Sequence, residues 1–324
     1  MFSFDQIQSR IEEGLRHLQY ANPPQSLYEP VKYILSLGGK RVRPALVLMA
    51  CNMYKDSVEE AVMPAMALEV FHNFTLLHDD LMDKAEKRRN KPTVHKVWNE
   101  NTAILSGDAM LIFAYELLGK TETEYLGRIL PLFTKTAAEI CGGQQYDMEF
   151  ESRMDVSEAE YLEMIRLKTA VLLACALQMG AIIGGASEQD CEKLYRFGVN
   201  IGLAFQLQDD LLDIYGNTDV FGKNIGGDIL CNKKTYFLIN ALQQSRGEQQ
   251  KKLLHWLSET SFDPKEKIQA VTYIYNELRL REQTEAKIKE YFDVAVSLLS
   301  GLDVLPERKT VLVEVCSRLM NRKF

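Results

Sequence analysis

Apolar residues recur along most of the chain at three- and four-residue intervals, the spacing that gathers them on one side of an α-helix. Strand-like alternation bounded by hairpin turns is not visible. The N-terminal stretch MFSFDQIQSRIEEGL reads as an amphipathic helix, because it lacks the basic segment followed by an apolar one that marks a secretory signal. At Ser157 the sequence SEAE makes a capping box with Glu160. In FDPKEK, Asp263 takes an N-cap, Pro264 the first helical position and Glu266 the third. Glycine pairs at Gly38-Gly39, Gly142-Gly143, Gly184-Gly185 and Gly226-Gly227 mark helix ends or close backbone approaches. The pattern predicts an all-α protein of about ten or more helices.

Three of these helices are apolar round most of their circumference and are therefore expected to be central. Two are EEAVMPAMALEVFHNFTLLHDDLMD and RFGVNIGLAFQLQDDLLDIYG. The third, TAVLLACALQMGAIIGGA from Thr169 to Ala186, is uncharged and about long enough to span a bilayer. It contains Gln178, is rich in glycine and alanine, and continues the helix that starts at Ser157. The centre of a large bundle accounts for it, and no stable membrane span is expected. With 324 residues, 46% of them hydrophobic, the chain can bury a large core. No linker, low-complexity tract or solenoid repeat divides it, so residues 1–324 are expected to form one single-domain helix bundle.

The formal net charge of −7, without a basic stripe carrying interleaved aromatics, argues against nucleic-acid binding. The six cysteines are scattered, with no CxxC or Cys/His spacing, which argues against zinc. Free thiols suit a reducing compartment, so a cytoplasmic location is expected.

The chemistry concentrates at the ends of the two acidic helices. Asp79 and Asp83 are four residues apart and share a helix face, with His72 and Thr75 on nearly the same stripe. Close carboxylates repel one another. They are relieved by protonation, by arginine or by a divalent cation, and a solvated helix end paired to Lys84, Lys87 or Arg88 is the plainest alternative. The motif recurs, however, at Asp209, Asp210 and Asp213. Two apolar helices that each end in D-D-x-x-D, facing across a bundle, would hold several hard cations. Magnesium fits, since it takes a few carboxylates, keeps waters and accepts phosphate oxygens. Cations gather around these motifs: Lys40, Arg41 and Arg43 in GGKRVRP, Arg88 and Arg89, Lys168, and Lys223, Lys233 and Lys234. Together they suit two diphosphates. No P-loop or GxGxxG is present, so nucleotide handling is not indicated.

GGKRVRP, HDDLMD, RRNKPTVH, LSGD, GGQQYD, KTA, FQLQDDLLD and FGKNIGGD, in this order, resemble the all-trans isoprenyl diphosphate synthases of the polyprenyl synthetase family. The resemblance runs from about residue 38 to NKKTY at 232. It implies an isoprenoid synthase fold around a central cavity, usually a homodimer. It implies condensation of isopentenyl diphosphate with an allylic diphosphate, with Mg2+ as cofactor, three ions when substrate is bound. By motif, Asp79, Asp83 and Asp209 would be the principal metal ligands, with Asp80, Asp210 and Asp213 supporting them directly or through water. Lys40, Arg43, His72 and Arg89 would hold isopentenyl diphosphate. Arg88, Lys168, Gln206, Lys223 and Lys233 would hold the allylic diphosphate, with Thr169 and Gln206 near the reacting carbons. Gln144 and Asp147 would support the site. One departure is Asn90, where the family commonly has glycine. The two-residue spacing before Asp83 also sets the chain apart from many bacterial farnesyl synthases.

The resemblance also places product-length control just upstream of Asp79, at Phe71, Phe74 and Thr75. Phe74 sits about 140° round the helix from Asp79, so it limits the cavity if that flank faces it. A bulky residue there without an aromatic at Thr75 resembles enzymes making geranylgeranyl (C20) diphosphate, with farnesyl (C15) next. Two other functions share part of the pattern. A terpene cyclase needs only one diphosphate, whereas GGKRVRP, His72 and Arg88–Arg89 speak for a second. A non-catalytic subunit of a heteromeric synthase would be expected to lose site residues that stand here.

Overall fold

The computed structural model describes residues 1–19, 23–216 and 225–320. In chain order the elements are α1 (Phe4–His17), α2 (Gln25–Ser36), α3 (Val42–Tyr54), α4 (Glu59–Met82), β1 (Lys87–Arg88), β2 (Lys91–Pro92), α5 (Val94–Val97), α6 (Glu100–Leu118) and α7 (Thr123–Ser152). There follow α8 (Glu158–Ile165), a five-residue π-helical segment (Arg166–Ala170), α9 (Val171–Gly184), α10 (Glu188–Tyr215), α11 (Gly227–Leu230), α12 (Tyr236–Gln244), α13 (Gly247–Ser258), α14 (Pro264–Glu277), α15 (Leu280–Ser300) and α16 (Pro306–Met320). The class is all-α, as the periodicity predicts.

Local chemistry sets the helix starts. Ser3 and Gln6 form a capping box on α1, and Ser157 and Glu160 do the same on α8. The Asp263 side chain accepts from the Lys265 and Glu266 N–H groups, with Pro264 opening α14. One expectation changes. The sequence gives no hairpin signal, yet β1 and β2 pair antiparallel, Lys87 with Pro92 and Arg88 with Lys91. Arg89 (φ 52°) and Asn90 (φ 61°) both take the left-handed conformation, as the two central residues of a tight hairpin require. Asparagine tolerates that region better than most residues, which is how the turn forms without glycine. Of its two expected roles, the Gly142-Gly143 pair takes the close backbone approach, since it lies inside α7 and not at a helix end. There a Cβ on Gly143 would come within 2.4 Å of the Lys168 backbone nitrogen.

Contacts gather the chain into two compact units, each discontinuous in sequence. The first comprises Met1–Phe133, Ala176–Glu192 and Asp303–Leu312. In it α4 packs chiefly on α6 and α3, and Ala65 to Phe71 are wholly buried on α4. The second comprises Thr134–Cys175, Lys193–Leu302 and Val313–Phe324. Its core holds Leu207 and Leu211 of α10, Phe237 and Ile239 of α12, Ile274 and Tyr275 of α14, and Leu280 of α15. The segment Glu158–Gly184 is long and apolar enough to cross a membrane by length and composition, and 72% of its most apolar window is buried, as in an interior helix.

Candidate active site

In the first unit, α4 carries the acidic motif at its C-terminal end. Asp83 is the C-cap, and its N–H donates to the Asp79 carbonyl at 2.9 Å. Asp79 is partly exposed and Asp83 exposed, four residues apart on one face. Asp80, expected among the metal ligands, is paired within the chain. It is 3% exposed, and both its oxygens accept from Arg88 Nε at 2.8 Å. Arg88 Nη2 adds a contact of 2.7 Å to Asp80 and one of 3.5 Å to Asp79. Burial pushes the Asp80 carboxyl up, and Arg88 offsets part of that. Arg88, expected on the allylic diphosphate, is thus engaged by the acidic motif itself.

The cationic groups of this unit converge near the start of α3. Gly38 (φ 77°), Gly39 (φ 138°) and Arg41 (φ 47°) turn the chain sharply there. A Cβ on Gly39 would lie 2.8 Å from Arg89 Nη2, and Arg89 Nη1 donates to the Gly38 carbonyl. Arg43 Nη1 lies 3.0 Å from His72 Nε2. Burial, then the charges of Arg43 and Arg89, hold the His72 pKa well below the ordinary value. The ring is therefore neutral, and because a guanidinium can only donate, Nε2 accepts. Burial also draws the Arg43 pKa down to about 10, against the pull of Glu69. Lys40 is exposed in the same turn. Four groups expected on one diphosphate, Lys40, Arg43, His72 and Arg89, thus lie in one unit.

Below the acidic motif, α4 presents its aromatic residues. Phe71 is 1% exposed and Phe74 partly exposed. The Phe74 ring lies 5.5 Å from Phe71 and 4.8 Å from His78. Thr75 Oγ1 donates to the His72 carbonyl at 2.8 Å and turns back on its own helix.

In the second unit the motif lies in the last two turns of α10. Asp210 is 3% exposed. It accepts from the Tyr161 hydroxyl, from Gln206 Nε2 at 3.3 Å and from the Tyr236 N–H at 3.4 Å. Burial, then repulsion from Asp228, push its carboxyl up to about 7. Asp213 accepts from the Asp228 N–H at 3.0 Å and from the Gly226 N–H, through its carbonyl, at 2.6 Å. Asp209 is the partly exposed first residue of the motif. In each motif, then, the middle aspartate turns inward and the first stays partly exposed. Tyr161 escapes a sequence reading, because it looks like an ordinary helical tyrosine. Asp228 closes the FGKNIGGD motif, but nothing in the sequence shows that it faces Asp210 and Asp213.

The π-helical segment sets the remaining groups. Its Lys168 Nζ lies 2.6 Å from Asp147 Oδ2, and Lys233 Nζ approaches the same oxygen at 4.0 Å. Burial pushes the Asp147 carboxyl up, and Lys233 and Lys168 more than reverse this. Thr169 Oγ1 donates to Gln206 Oε1 at 3.4 Å. Gly143 on α7 and Gly202 on α10 let both helices touch the segment, since a Cβ on Gly202 would meet the Ala170 Cα at 2.5 Å. Gln144 is partly buried beside Gly143 on α7. Lys234 is buried and donates to the Glu151 and Asn232 carbonyls at 3.4 and 3.5 Å, whereas Lys233 is exposed. Lys223 lies outside the described residues.

Among the described residues, no three His, Cys, Asp or Glu side chains close into a cage that could hold a metal by themselves. Partly exposed oxygen donors, few in number, suit magnesium, which takes one or two carboxylates and fills its shell with water and substrate phosphate. The donor set fits that ion and offers no nitrogen or sulfur for a softer one.

The model of the family described as Polyprenyl synthetase matches residues 24–277. The chain is 36% identical over 332 residues to the geranylgeranyl diphosphate synthase of Methanosarcina mazei, covering 99% of this chain and 98% of that one. It is 38% identical over 269 residues to the geranylfarnesyl diphosphate synthase of Natronomonas pharaonis, covering 75% of this chain and 79% of that one. A crystal structure of a geranylgeranyl pyrophosphate synthase matches with a TM-score of 0.95 at 44% identity, covering 100% of both chains.

Proposed function

The chain belongs to the polyprenyl synthetase family and is a short-chain prenyltransferase, and from that premise we propose that its product is geranylgeranyl (C20) diphosphate. Farnesyl (C15) diphosphate is the second reading. The observation that carries the reaction is the end of α4, where Asp79 and Asp83 stand with Arg43, His72 and Arg89 in the same unit, and the C20 length rests on partly exposed Phe74, beside Phe71 and His78 on the same helix. A cation-dependent diphosphate reaction needs that combination. A terpene cyclase would have no use for a second set of diphosphate donors.

In this proposal Asp79, Asp83 and Asp209 hold Mg2+. When bound, the ions supply Lewis-acid stabilisation of negative charge on the departing diphosphate. Asp80, Asp210 and Asp213 support them directly or through water, Asp80 from its pairing with Arg88 and Asp210 from its bond to Tyr161. Lys168, Lys233, Arg88 and Lys223 hold the allylic diphosphate, and Lys40, Arg43, His72 and Arg89 hold isopentenyl diphosphate. Neutral His72 aims Arg43 and leaves its remaining donors for phosphate. The allylic C–O bond breaks and its electron pair leaves with the diphosphate. The isopentenyl double bond attacks the allylic cation, forming the new C–C bond. The resulting cation loses a proton to the released diphosphate. Thr169 and Gln206, paired in the second unit, lie by motif beside the reacting carbons. Apolar walls keep water from the cation. Each tenfold in rate is about 1.4 kcal/mol of barrier, so several aimed charges together give a large acceleration.

One domain is supported by the discontinuity of both compact units, neither of which is a contiguous stretch of chain. A homodimer is supported by the exposed apolar side chains of α6, where Leu105 and Ile112 are 59% and 69% exposed. Six free cysteines suit the cytoplasm.

Incubation with magnesium, isopentenyl diphosphate and C5, C10 or C15 allylic primers, with products identified by mass, tests the reading. A dominant C20 product is expected, and Asp79→Ala should nearly abolish it without unfolding the protein. Products of C25 or longer would overturn the length assignment. Undiminished turnover in Asp79→Ala would overturn the metal assignment.

A further inference from the structure

Beneath the turn at Gly38-Gly39 lies a buried ionic network to which the proposed reaction gives no part. The Arg41 side chain is 4% exposed, and its Nη1 lies 2.6 Å from Glu69 Oε1. Its Nη2 donates to the Leu35 carbonyl, at the end of α2, at 2.7 Å. The Glu69 side chain is 3% exposed and sits on α4, one turn before His72 and Asn73. Asn73 is fully buried and donates to the same Glu69 oxygen at 2.9 Å and to the Glu69 carbonyl at 2.8 Å. One carboxylate thus receives a guanidinium and an amide in the interior.

A carboxylate buried this deeply survives only when paired and hydrogen-bonded. Its reach extends beyond Arg41. The charge of Glu69 also supports the charged forms of Arg43 and Arg89, working against their desolvation and against repulsion between arginines. Arg43 stands two residues beyond Arg41 on the first turn of α3, and its buried Nε has no partner. Without a fixed anion below, guanidiniums brought this close would part until a diphosphate arrived, and binding would have to regather them.

We propose that Glu69, acting through Arg41, is a positioning residue for the isopentenyl diphosphate site: it pins the Gly38–Arg43 turn and balances the charge of Arg43 and Arg89 before the diphosphate binds. Neither Glu69 nor Arg41 touches substrate in this scheme. The gain is preorganisation, since a site whose donors are already placed loses less on binding. The proposal rests on the assignment of Lys40, Arg43, His72 and Arg89 to that substrate.

The test is steady-state kinetics with each substrate varied in turn, on Glu69→Gln, on the double variant Arg41→Met/Glu69→Leu, and on Arg43→Ala as reference. In Glu69→Gln the KM for isopentenyl diphosphate should rise about 10- to 100-fold, the scale of a binding group displaced by about 1 Å. The KM for the allylic substrate should stay unchanged. The double variant removes both charges together and so avoids the unpaired buried charge that either single change leaves, which keeps it foldable although the Leu35 carbonyl and Asn73 each lose a partner. It should nevertheless keep the raised KM for isopentenyl diphosphate, because the Gly38–Arg43 turn has lost its pin to α2 and α4 and Arg43 has lost its anion. A double variant with the parent KM would make the pair merely structural and overturn the proposal. So would an unchanged KM in folded Glu69→Gln. If Arg43→Ala itself leaves that KM unchanged, the substrate assignment falls, and the proposal falls with it.

Discussion

Lys168 Nζ lies 2.6 Å from Asp147 Oδ2, and Lys233 Nζ approaches the same oxygen at 4.0 Å. One carboxylate shared between two lysines leaves a net positive charge held at a fixed place, which is the requirement for gripping a leaving diphosphate. Asp147→Asn keeps the shape and removes the anchor. The expected result is a fall in kcat of about 10- to 100-fold as the lysines lose their aim. Stability should fall by about 1.5–3 kcal/mol, the range for a hydrogen bond to a charged group. Single-turnover rates and urea midpoints measure the two effects, and a kcat near the parent's would count against the anchoring role.

His72 predicts a pH dependence of stability. Its folded pKa lies well below the ordinary value, through burial and then the arginines around it. Below about pH 6.5 the unfolded chain therefore binds a proton that the folded chain refuses. Stability from this group is fully present above that pH. It is lost at about 1.4 kcal/mol per unit as pH falls toward the folded pKa. His72→Gln, measured by urea unfolding at about pH 7 and about pH 5.5, should lose about 1.4 kcal/mol less than the parent over that interval. Equal losses would mean that the ring is charged in the folded protein.

The helix starts at Ser157 and Asp263 were legible because each depends on residues within one turn. The acidic motif was legible because an i, i+4 pair followed an apolar run, twice. Within each motif, however, three aspartates look alike in sequence. Only the partners of Asp80 (Arg88) and Asp210 (Tyr161, 49 residues away) reveal that the middle one turns inward. Glu69 was hidden for a related reason. It interrupts the apolar run MALEVF like a solvated charge, and its burial depends on Arg41, 28 residues earlier. The hairpin at Arg89-Asn90 was missed because two-residue strands are too short to show alternation.

Phe74 and Phe71 should separate product length from stability. Phe74 is partly exposed and rests on Phe71 and His78, so truncating it opens space beside α4 without emptying the core. Phe74→Ala should shift the product toward C25 or longer, read by mass. Phe71 is buried and packs edge-on at 5.1 Å against Phe133. Phe71→Ala should cost about 3–5 kcal/mol in unfolding free energy, as large-to-small changes of buried aromatics do. An unchanged product from Phe74→Ala would remove it as the limit on chain length.

Gly143 tests whether the approach of α7 to the π-helical segment matters for turnover or only for folding. A Cβ at this position would meet the Lys168 backbone nitrogen at 2.4 Å and the Lys168 Cα at 2.8 Å. Backbone atoms cannot rotate away, so Gly143→Ala must push the segment off α7. Overpacking of this kind costs about 1–3 kcal/mol. Lys168 and Thr169 ride on the displaced segment, so kcat should fall by more than the loss of folded protein explains. Gly142→Ala is the control: no heavy atom lies within 4 Å of its added Cβ, and replacing glycine inside a helix should leave the protein as stable or more so. If Gly143→Ala lowers the unfolding midpoint but leaves kcat per folded molecule intact, the close approach serves folding alone, and the placement of Lys168 does not depend on it.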